Sequence, residues 1–468
     1  LIVFFLASAL GLRILRPLRH LFPDTVFLWA LSFGLGIAFF GLGAFLLALF
    51  QIMNPFVFLA LVAAPSFFSW KEISVLWDCL VQKIYVRSFH ETSIWTWFIW
   101  MFIIGSLEVA FISAQAGPLV AGFDGFHQYL TFPTEYFHQG GFTSFFWHPS
   151  WGFPQLGEMI FLLSLVLVGT TGPFLVNFFL LFVFVGTFFS VISLENIPKE
   201  RHWLTACIMS SPIVLLLGSG VVKIDLLFYF YCLLIFSVLR QALVSPAGVF
   251  FEKKPVIIVI GVLLGILFSL KYTAFFLGIA LCIALFSVSQ EKKLFIKRWV
   301  FIFGIAFLVM SPWLIKNWVV YKSPLYPIFQ GQDQLFQETG KMCSQYFGQF
   351  ATQDLILSHA HFLHQTGIVA VDNLQIFFFS LVYPSIEKSL FSPGFWVTFF
   401  LPVVLFALFQ WKKLDAYRQV LILFFILFFV AWDLFLLGSL WYLFPVFIAL
   451  FLFLSSLVAL CERLSFVR

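Results

Sequence analysis

Long apolar runs separated by short polar links constrain the fold of this chain more than any other feature. Residues 24–50 and 299–318 are typical runs. Most runs are roughly 18 to 25 residues long, and a helix of that length spans the hydrocarbon core of a bilayer, about 30 Å. A membrane β-barrel would instead show alternating strands of about ten residues. The sequence therefore predicts an all-α fold, a polytopic transmembrane helical bundle of about 11 to 13 spans.

The composition agrees with a membrane protein and argues against a soluble one. Of the 468 residues, 62% are hydrophobic and only 10% are charged, and the mean hydropathy is +1.04. A soluble globule of this size needs far more polar surface. The net charge of +5 comes from short basic clusters between the runs, which report topology rather than attraction to nucleic acid. We therefore expect membrane lipids as surroundings and no nucleic-acid partner.

The basic clusters also predict which links face outward. Lys and Arg prefer the cytoplasmic side of a membrane, and residues 13–20 and 71–87 carry such clusters. Residues 115–155 have no Lys or Arg, so we expect this loop outside, with a second external loop at 320–366. This topology predicts a multi-pass protein of the cytoplasmic (inner) membrane with its active site facing the periplasm or exterior. It leaves open whether 156–193 crosses twice and whether 367–384 spans or re-enters.

Ionisable residues far apart in sequence gather at the predicted outer face. Asp124 lies in the first external loop, and Asp225 and Lys271 follow at later boundaries between apolar runs. A carboxylate there can act as a general base, while a cation offsets charge on a departing phosphate. Lys271 has two interpretations: it lies at the tip of a helical hairpin, or it lies near mid-bilayer in one long helix, where its charge must be paired.

Four stretches in one order resemble the bacterial membrane glycosyltransferases of the GT-C superfamily. Each stretch combines a few polar or aromatic residues with glycine or proline at the end of an apolar run. They are Asp124–Pro133 with Phe153–Met159, Gly261–Gly265 with Lys271–Thr273, Ser311–Trp313 with Asn317 and Ser323–Pro327, and Trp441–Pro445. The resemblance covers residues 94–460, which it identifies as a catalytic transmembrane domain. Residues 1–93 are then extra membrane segments, and we expect their start to be clipped because Leu1 lies inside an apolar run.

The resemblance implies a reaction and a set of site residues. Enzymes of this superfamily move a sugar from a polyprenyl-phosphate carrier to an acceptor on the outer face of the membrane. The implied acceptor is a lipid, a glycan or a protein. Asp124 is the implied catalytic residue, which activates the acceptor, and Lys271 is placed near the donor phosphate. The residues expected to bind substrate are Asp225, Lys271, Tyr129, His127, Glu158 and Asn317. The partner is the lipid-linked sugar donor, and no cofactor is expected.

Departures from the family pattern keep other functions open. An Asp-x-Asp motif is missing, so we expect a metal-independent, inverting mechanism. His359, His361 and His364 have spacings that can chelate a metal, but no further ligand class lies nearby and we expect no metal. Trp441 replaces the usual arginine, which leaves an inactive assembly subunit as one alternative. A transporter or flippase for lipid-linked saccharides is the other. The sugar, the acceptor and the oligomeric state are not specified by the sequence.

Overall fold

The described part of the chain is helical in the computed structural model, with turns and irregular links between the helices and no strand among those residues. This confirms the all-α class. The structure describes residues 2–22, 25–76, 101, 104, 105, 108, 112, 128–142, 149–193, 221–244, 254–326, 404, 405, 407–435, 445, 446, 448–450, 452 and 453. The chain divides into two compact units. The first comprises Leu1–Thr143, Leu156–Gln241 and Leu454–Arg468, and the second comprises Ser144–Gln155 and Ala242–Phe453.

Eight helices of the first unit lie in its described part. They are α1 (Ile2–Ile14), α2 (Thr25–Leu49), α3 (Pro55–Phe68), α4 (Trp70–Leu76), α5 (Thr131–His138), α6 (Leu156–Val168), α7 (Gly172–Ser193) and α8 (Asp225–Val244). Helix α2 is the centre of this unit, since α1, α3, α6 and α7 all pack against it. Helix α8 is tied to it as well, because the hydroxyl of Tyr231 donates a hydrogen bond to the Gly34 carbonyl at 2.6 Å. The unit is therefore built around one apolar helix.

Helices α1 and α2 approach each other at two glycines. A Cβ added at Gly11 would collide with the Ser32 carbonyl, and one added at Gly36 would collide with the Ala7 carbonyl. The two contacts are reciprocal, one glycine from each helix. Small residues let helix backbones approach this closely in membranes, where packing rather than the hydrophobic effect drives association.

Local sequence signals set where α3 begins and where α6 and α7 separate. Asn54 caps α3 by accepting a hydrogen bond from the Phe56 amide at 2.9 Å, and Pro55 occupies the first helical position. The predicted start at Asn54-Pro55 is confirmed. Helices α6 and α7 meet at a bend of 117°, where Gly169 has a φ of 86°. The run 156–193 is therefore a broken span or a re-entrant loop.

The described part of the second unit contains four longer helices. They are α9 (Lys254–Leu270), α10 (Ala274–Val288), α11 (Lys292–Tyr321) and α12 (Ala416–Phe435), with short 3-10 turns at Pro149–Gly152 and Trp411–Lys413. Helices α9 and α11 run parallel, since Gly261 faces Ile305 and Gly265 faces Val309. Both glycines belong to α9, and their lack of a side chain allows the two helices to pack closely.

Helix α10 returns in the opposite direction, which decides between the two interpretations of Lys271. Phe275 at its start contacts Phe307 late in α11, and Phe286 near its end contacts Phe295 early in α11. Helix α10 is therefore antiparallel to both α11 and α9. Lys271 lies in the turn between α9 and α10, and its side chain is partly exposed. The hairpin interpretation is confirmed, and the single long helix was wrong.

Three described helices, α2, α8 and α11, are long and apolar enough to cross a membrane, or up to five spans if each bent pair counts as one. The second bent pair is α3 with α4, at 78°. The described residues therefore support a membrane protein. Runs such as 203–217 and 367–384 lie outside them, so the total of about 11 to 13 spans, the GT-C architecture and the boundary at residues 93 and 94 stay predictions.

Candidate functional site

The predicted site residues fall into three groups. Asp124 and His127 lie outside the described residues, as do Trp441 and the three histidines between 359 and 364. Tyr129, Glu158 and Asp225 lie in the first unit, and Lys271 and Asn317 lie in the second. The roles predicted for all of them stay predictions, but the structure describes the surroundings of the last five.

Glu158 lies fully buried in the first turn of α6. The Gln128 side-chain amide donates a hydrogen bond to its Oε1 at 2.9 Å. Tyr129, the next residue along, is also buried. A carboxylate that snorkels keeps its charged group in water, which a fully buried Glu158 does not do. Glu158 therefore contacts Gln128, which lies four residues after Asp124 in sequence.

Asp225 occupies the first turn of α8 and is buried. An acidic residue there interacts favourably with the helix dipole. The segment before it is held by Asn177 of α7, whose Nδ2 donates to the carbonyls of Val221 and Lys223, both at 3.0 Å. Sequence reasoning missed Asn177. The sequence could have indicated Asn177, because it is an amide inside an apolar run, where a polar group needs a hydrogen-bond partner.

Asn317 is fully buried near the end of α11. Its Nδ2 donates to the Gly152 carbonyl at 2.6 Å and to the Tyr272 hydroxyl at 3.1 Å. The carbonyls of Tyr326 and Pro324 lie slightly farther away, at 3.3 and 3.4 Å. All four neighbours can accept a hydrogen bond, so the nitrogen rather than the oxygen of the amide faces them.

Tyr272 extends this network from the turn between α9 and α10. Its hydroxyl donates to the Tyr326 carbonyl at 3.1 Å. Burial raises the pKa of the Tyr272 hydroxyl well above its usual range, and the hydrogen bond from Asn317 lowers it only in part. The hydroxyl therefore keeps its proton at neutral pH and acts as a donor. Because Tyr272 follows Lys271, the network places the turn carrying Lys271 beside the end of α11 that carries Asn317.

Lys316, next to Asn317, is a lysine with only 6% of its surface exposed. Its Nζ donates to the Trp151 carbonyl at 2.7 Å and to Gln155 Oε1 at 3.2 Å. It also lies 4.6 Å from the centre of the Trp151 ring. A buried ammonium is costly unless hydrogen bonds and aromatic faces compensate for lost water. Sequence reasoning did not select Lys316, although a lysine near the end of an apolar helix was the available signal.

Aromatic rings close around these polar groups. Tyr321 stacks on Tyr326 with ring centres 3.7 Å apart, and Trp151 meets Tyr321 edge-on at 5.5 Å. Phe153 contacts the Tyr272 ring at 5.9 Å. We name this arrangement the Asn317 cluster. It comprises Trp151, Gly152, Gln155, Tyr272, Lys316, Asn317, Tyr321 and Tyr326.

The Asn317 cluster is rich in hydrogen-bond donors and aromatic faces. Its ammonium, amide and phenol groups donate to oxygen atoms of the protein itself, so they hold the neighbouring backbone segments in place. Within the part of the chain that the structure describes, no group of three or more His, Cys, Asp or Glu side chains could hold a metal ion.

Comparisons of the chain with protein families, curated proteins and solved structures find no match. The resemblance to GT-C glycosyltransferases therefore depends on the four sequence stretches alone. Three of those stretches have described residues in the Asn317 cluster, which is the basis of the proposal below.

Proposed function

We propose that this protein is a membrane glycosyltransferase. It transfers a sugar from a polyprenyl-phosphate carrier to a lipid, glycan or protein acceptor at the outer face of the cytoplasmic membrane, with inversion and without a metal. The observation that carries this proposal is that three stretches of the GT-C resemblance share one hydrogen-bond network. Asp124 activates the acceptor, and Lys271 offsets charge on the departing phosphate.

The shared network supports the proposal because its members are distant in sequence. Gln155 belongs to the first stretch, at the end of the first external loop, and accepts from Lys316, 161 residues away. Tyr272 belongs to the second stretch and accepts from Asn317, 45 residues away. Asn317 and Tyr326 belong to the third. Three stretches selected on the family order therefore meet in one cluster.

The charge distribution along α11 supports an outward-facing site. Lys292, Lys293, Lys297 and Arg298 lie at its beginning, and the positive-inside rule assigns that end to the cytoplasm. Lys316 lies 24 residues after Lys292, which is about 36 Å along a helix and more than the thickness of the hydrocarbon core. The Asn317 cluster then belongs at the opposite, outer interface, where polyprenyl-phosphate sugars are used in the proposed reaction.

A transporter or flippase for lipid-linked saccharides is the second candidate. The bend of 117° between α6 and α7 favours it, because broken helices line the substrate sites of many transporters. Glu158, buried at the start of α6, would then lie where such a site needs a polar group. The two candidates differ in product: a transferase makes a new glycosidic bond, while a flippase only moves the lipid across the bilayer.

Transfer from radiolabelled polyprenyl-phosphate sugars tests the proposal. The protein is purified into lipid vesicles with membrane extract as acceptor source, and wild type is compared with Asp124→Asn. Loss of a general base lowers transfer about a hundredfold or more. The matched control is Asp415→Asn, since Asp415 is partly exposed and pairs with Arg418 in a neighbouring helical turn; it should keep full transfer.

Two results would contradict the proposal. Equal transfer by wild type and Asp124→Asn would exclude a catalytic role for Asp124. Movement of labelled lipid to the opposite leaflet without any labelled product would favour the flippase instead.

A further inference from the structure

Two polar segments of the chain meet at the end of α11. The first is residues 149–155, the end of the predicted external loop 115–155, and the second is residues 323–326, near the start of the predicted loop 320–366. We propose that Lys316 is a positioning residue: with Asn317 it fastens both segments to α11, so that they move as one element. Only the enzymatic part of the test rests on the proposed function.

The first segment is held by two consecutive donors on two consecutive carbonyls. Lys316 donates to the Trp151 carbonyl, and Asn317 donates to the Gly152 carbonyl. The second bond of Lys316, to Gln155 Oε1, holds the far end of the same segment. Three attachment points fix both the position and the orientation of the 3-10 turn at Pro149–Gly152.

The second segment is held by Asn317, whose Nδ2 also lies near the Pro324 and Tyr326 carbonyls, and by the first segment. The Tyr326 carbonyl accepts from Tyr272, which itself accepts from Asn317. Gly152 lies directly against the Tyr326 ring, so close that a Cβ at Gly152 would overlap it. Release of residues 149–155 would therefore remove one of the two surfaces on which the Tyr326 ring packs, the other being Tyr321.

The charge on Lys316 strengthens its hydrogen bonds because the side chain is buried. Hydrogen bonds from an ammonium are roughly twice as strong as those between neutral groups, and burial strengthens them further. The ring of Trp151 adds a cation–π contact to the same group. An apolar side chain of equal length would keep the packing and lose all three interactions. This makes Lys316→Met the appropriate substitution.

Helix α11 supplies a matched control in Lys322. This lysine is exposed where the same helix ends, and its Nζ donates to the Val319 carbonyl one turn earlier at 3.0 Å. Lys322→Met removes the same charge from the same helix end and leaves the Asn317 cluster intact. Both variants change net charge equally, so a difference between them comes from the cluster.

Hydrogen–deuterium exchange of the full chain in lipid vesicles tests the coupling. In Lys316→Met, peptides covering residues 149–155 and 323–326 should both exchange about tenfold faster, because charge-assisted bonds are lost. Peptides from α2 should be unchanged, and Lys322→Met should match wild type in all of them. Faster exchange in only one segment, or in neither, would overturn the proposal. If Lys316→Met does not fold, Gln155→Leu removes one acceptor and should accelerate both segments by a smaller, equal factor.

Steady-state transfer separates positioning from substrate binding. Because Lys316 bonds to protein acceptors, Lys316→Met should lower kcat at least about tenfold through misplaced groups and leave the donor KM within about twofold of wild type. A raised KM with unchanged kcat would mean that Lys316 binds the donor, and would overturn the positioning role. If wild type shows no transfer, the proposed function fails, while the exchange experiment still decides whether Lys316 couples the segments.

Discussion

Gly152→Ala adds one carbon atom at the most crowded point of the Asn317 cluster. The backbone of Gly152 does not have a positive φ, so alanine can adopt its conformation and the effect is purely steric. A Cβ there would lie 2.7 Å from Cε1 of Tyr326 and nearer still to Cδ1. The substitution therefore tests whether residues 149–155 and Tyr326 need to be in direct contact.

The expected cost follows from what Tyr326 loses when it moves. Non-bonded carbon atoms normally lie about 3.5 to 4.0 Å apart, so the nearest ring atom must withdraw by well over 1 Å. It cannot simply turn, because it stacks on Tyr321 at 3.7 Å. Losing that ring pair costs about 1 kcal/mol, and weakening the bond from Tyr272 to the Tyr326 carbonyl costs about as much again. The free energy of unfolding should fall by about 2 kcal/mol, within the usual range for overpacking.

Thermal unfolding in detergent measures this cost, with Gly304→Ala as the matched control. Gly304 lies in α11, and a Cβ there would meet no atom within 4 Å; alanine should stabilise it by up to about 1 kcal/mol. A double variant, Gly152→Ala with Tyr326→Ala, should cost clearly less than the sum of the two single changes, since the smaller side chain removes the overlap. A Gly152→Ala protein as stable as wild type, or strictly additive losses, would refute the contact.

Three further predictions concern other parts of the structure. Gly265→Ala places a Cβ 2.7 Å from the Ala306 carbonyl oxygen, so α9 and α11 must separate. The free energy of unfolding, measured by thermal unfolding, should fall by about 1 to 3 kcal/mol. Asn177→Leu removes both bonds to residues 221–224, and hydrogen exchange there should accelerate about tenfold. Burial raises the pKa of Tyr272, so the folded state keeps a proton that the unfolded state releases above about pH 10. The free energy of unfolding should therefore fall as pH rises past that value, less steeply in Tyr272→Phe, as measured by thermal unfolding across that range.

Local signals predicted the helices well. The apolar run 24–50 corresponds to α2 at Thr25–Leu49, and Asn54-Pro55 marked the start of α3. The break at Lys271–Thr273 was visible as polar residues between two apolar runs. Run length, capping residues and breaks act within a few residues of the chain, so one sequence contains the information needed to find them.

The contacts of the candidate site could not be predicted in the same way. Lys316 and the Trp151 carbonyl lie 165 residues apart, and nothing in either segment identifies the other. Lys271 had two interpretations because the sequence does not show how α9 and α10 pack on α11. The glycine contacts and aromatic rings along α11 decide that packing, and they depend on the tertiary structure.

Asn177 and Asn317 illustrate one physical solution used in both units. Each is a buried amide in a largely apolar part of its helix, and each donates to a carbonyl of an irregular segment. Irregular backbone in a membrane protein has carbonyls without helical partners, and water is scarce there to satisfy them. One amide nitrogen supplies two donors, which is enough to hold two carbonyls. An asparagine inside an apolar run therefore indicates that a non-helical segment packs against that helix, and this reasoning would have selected Asn177 from sequence together with Asn317.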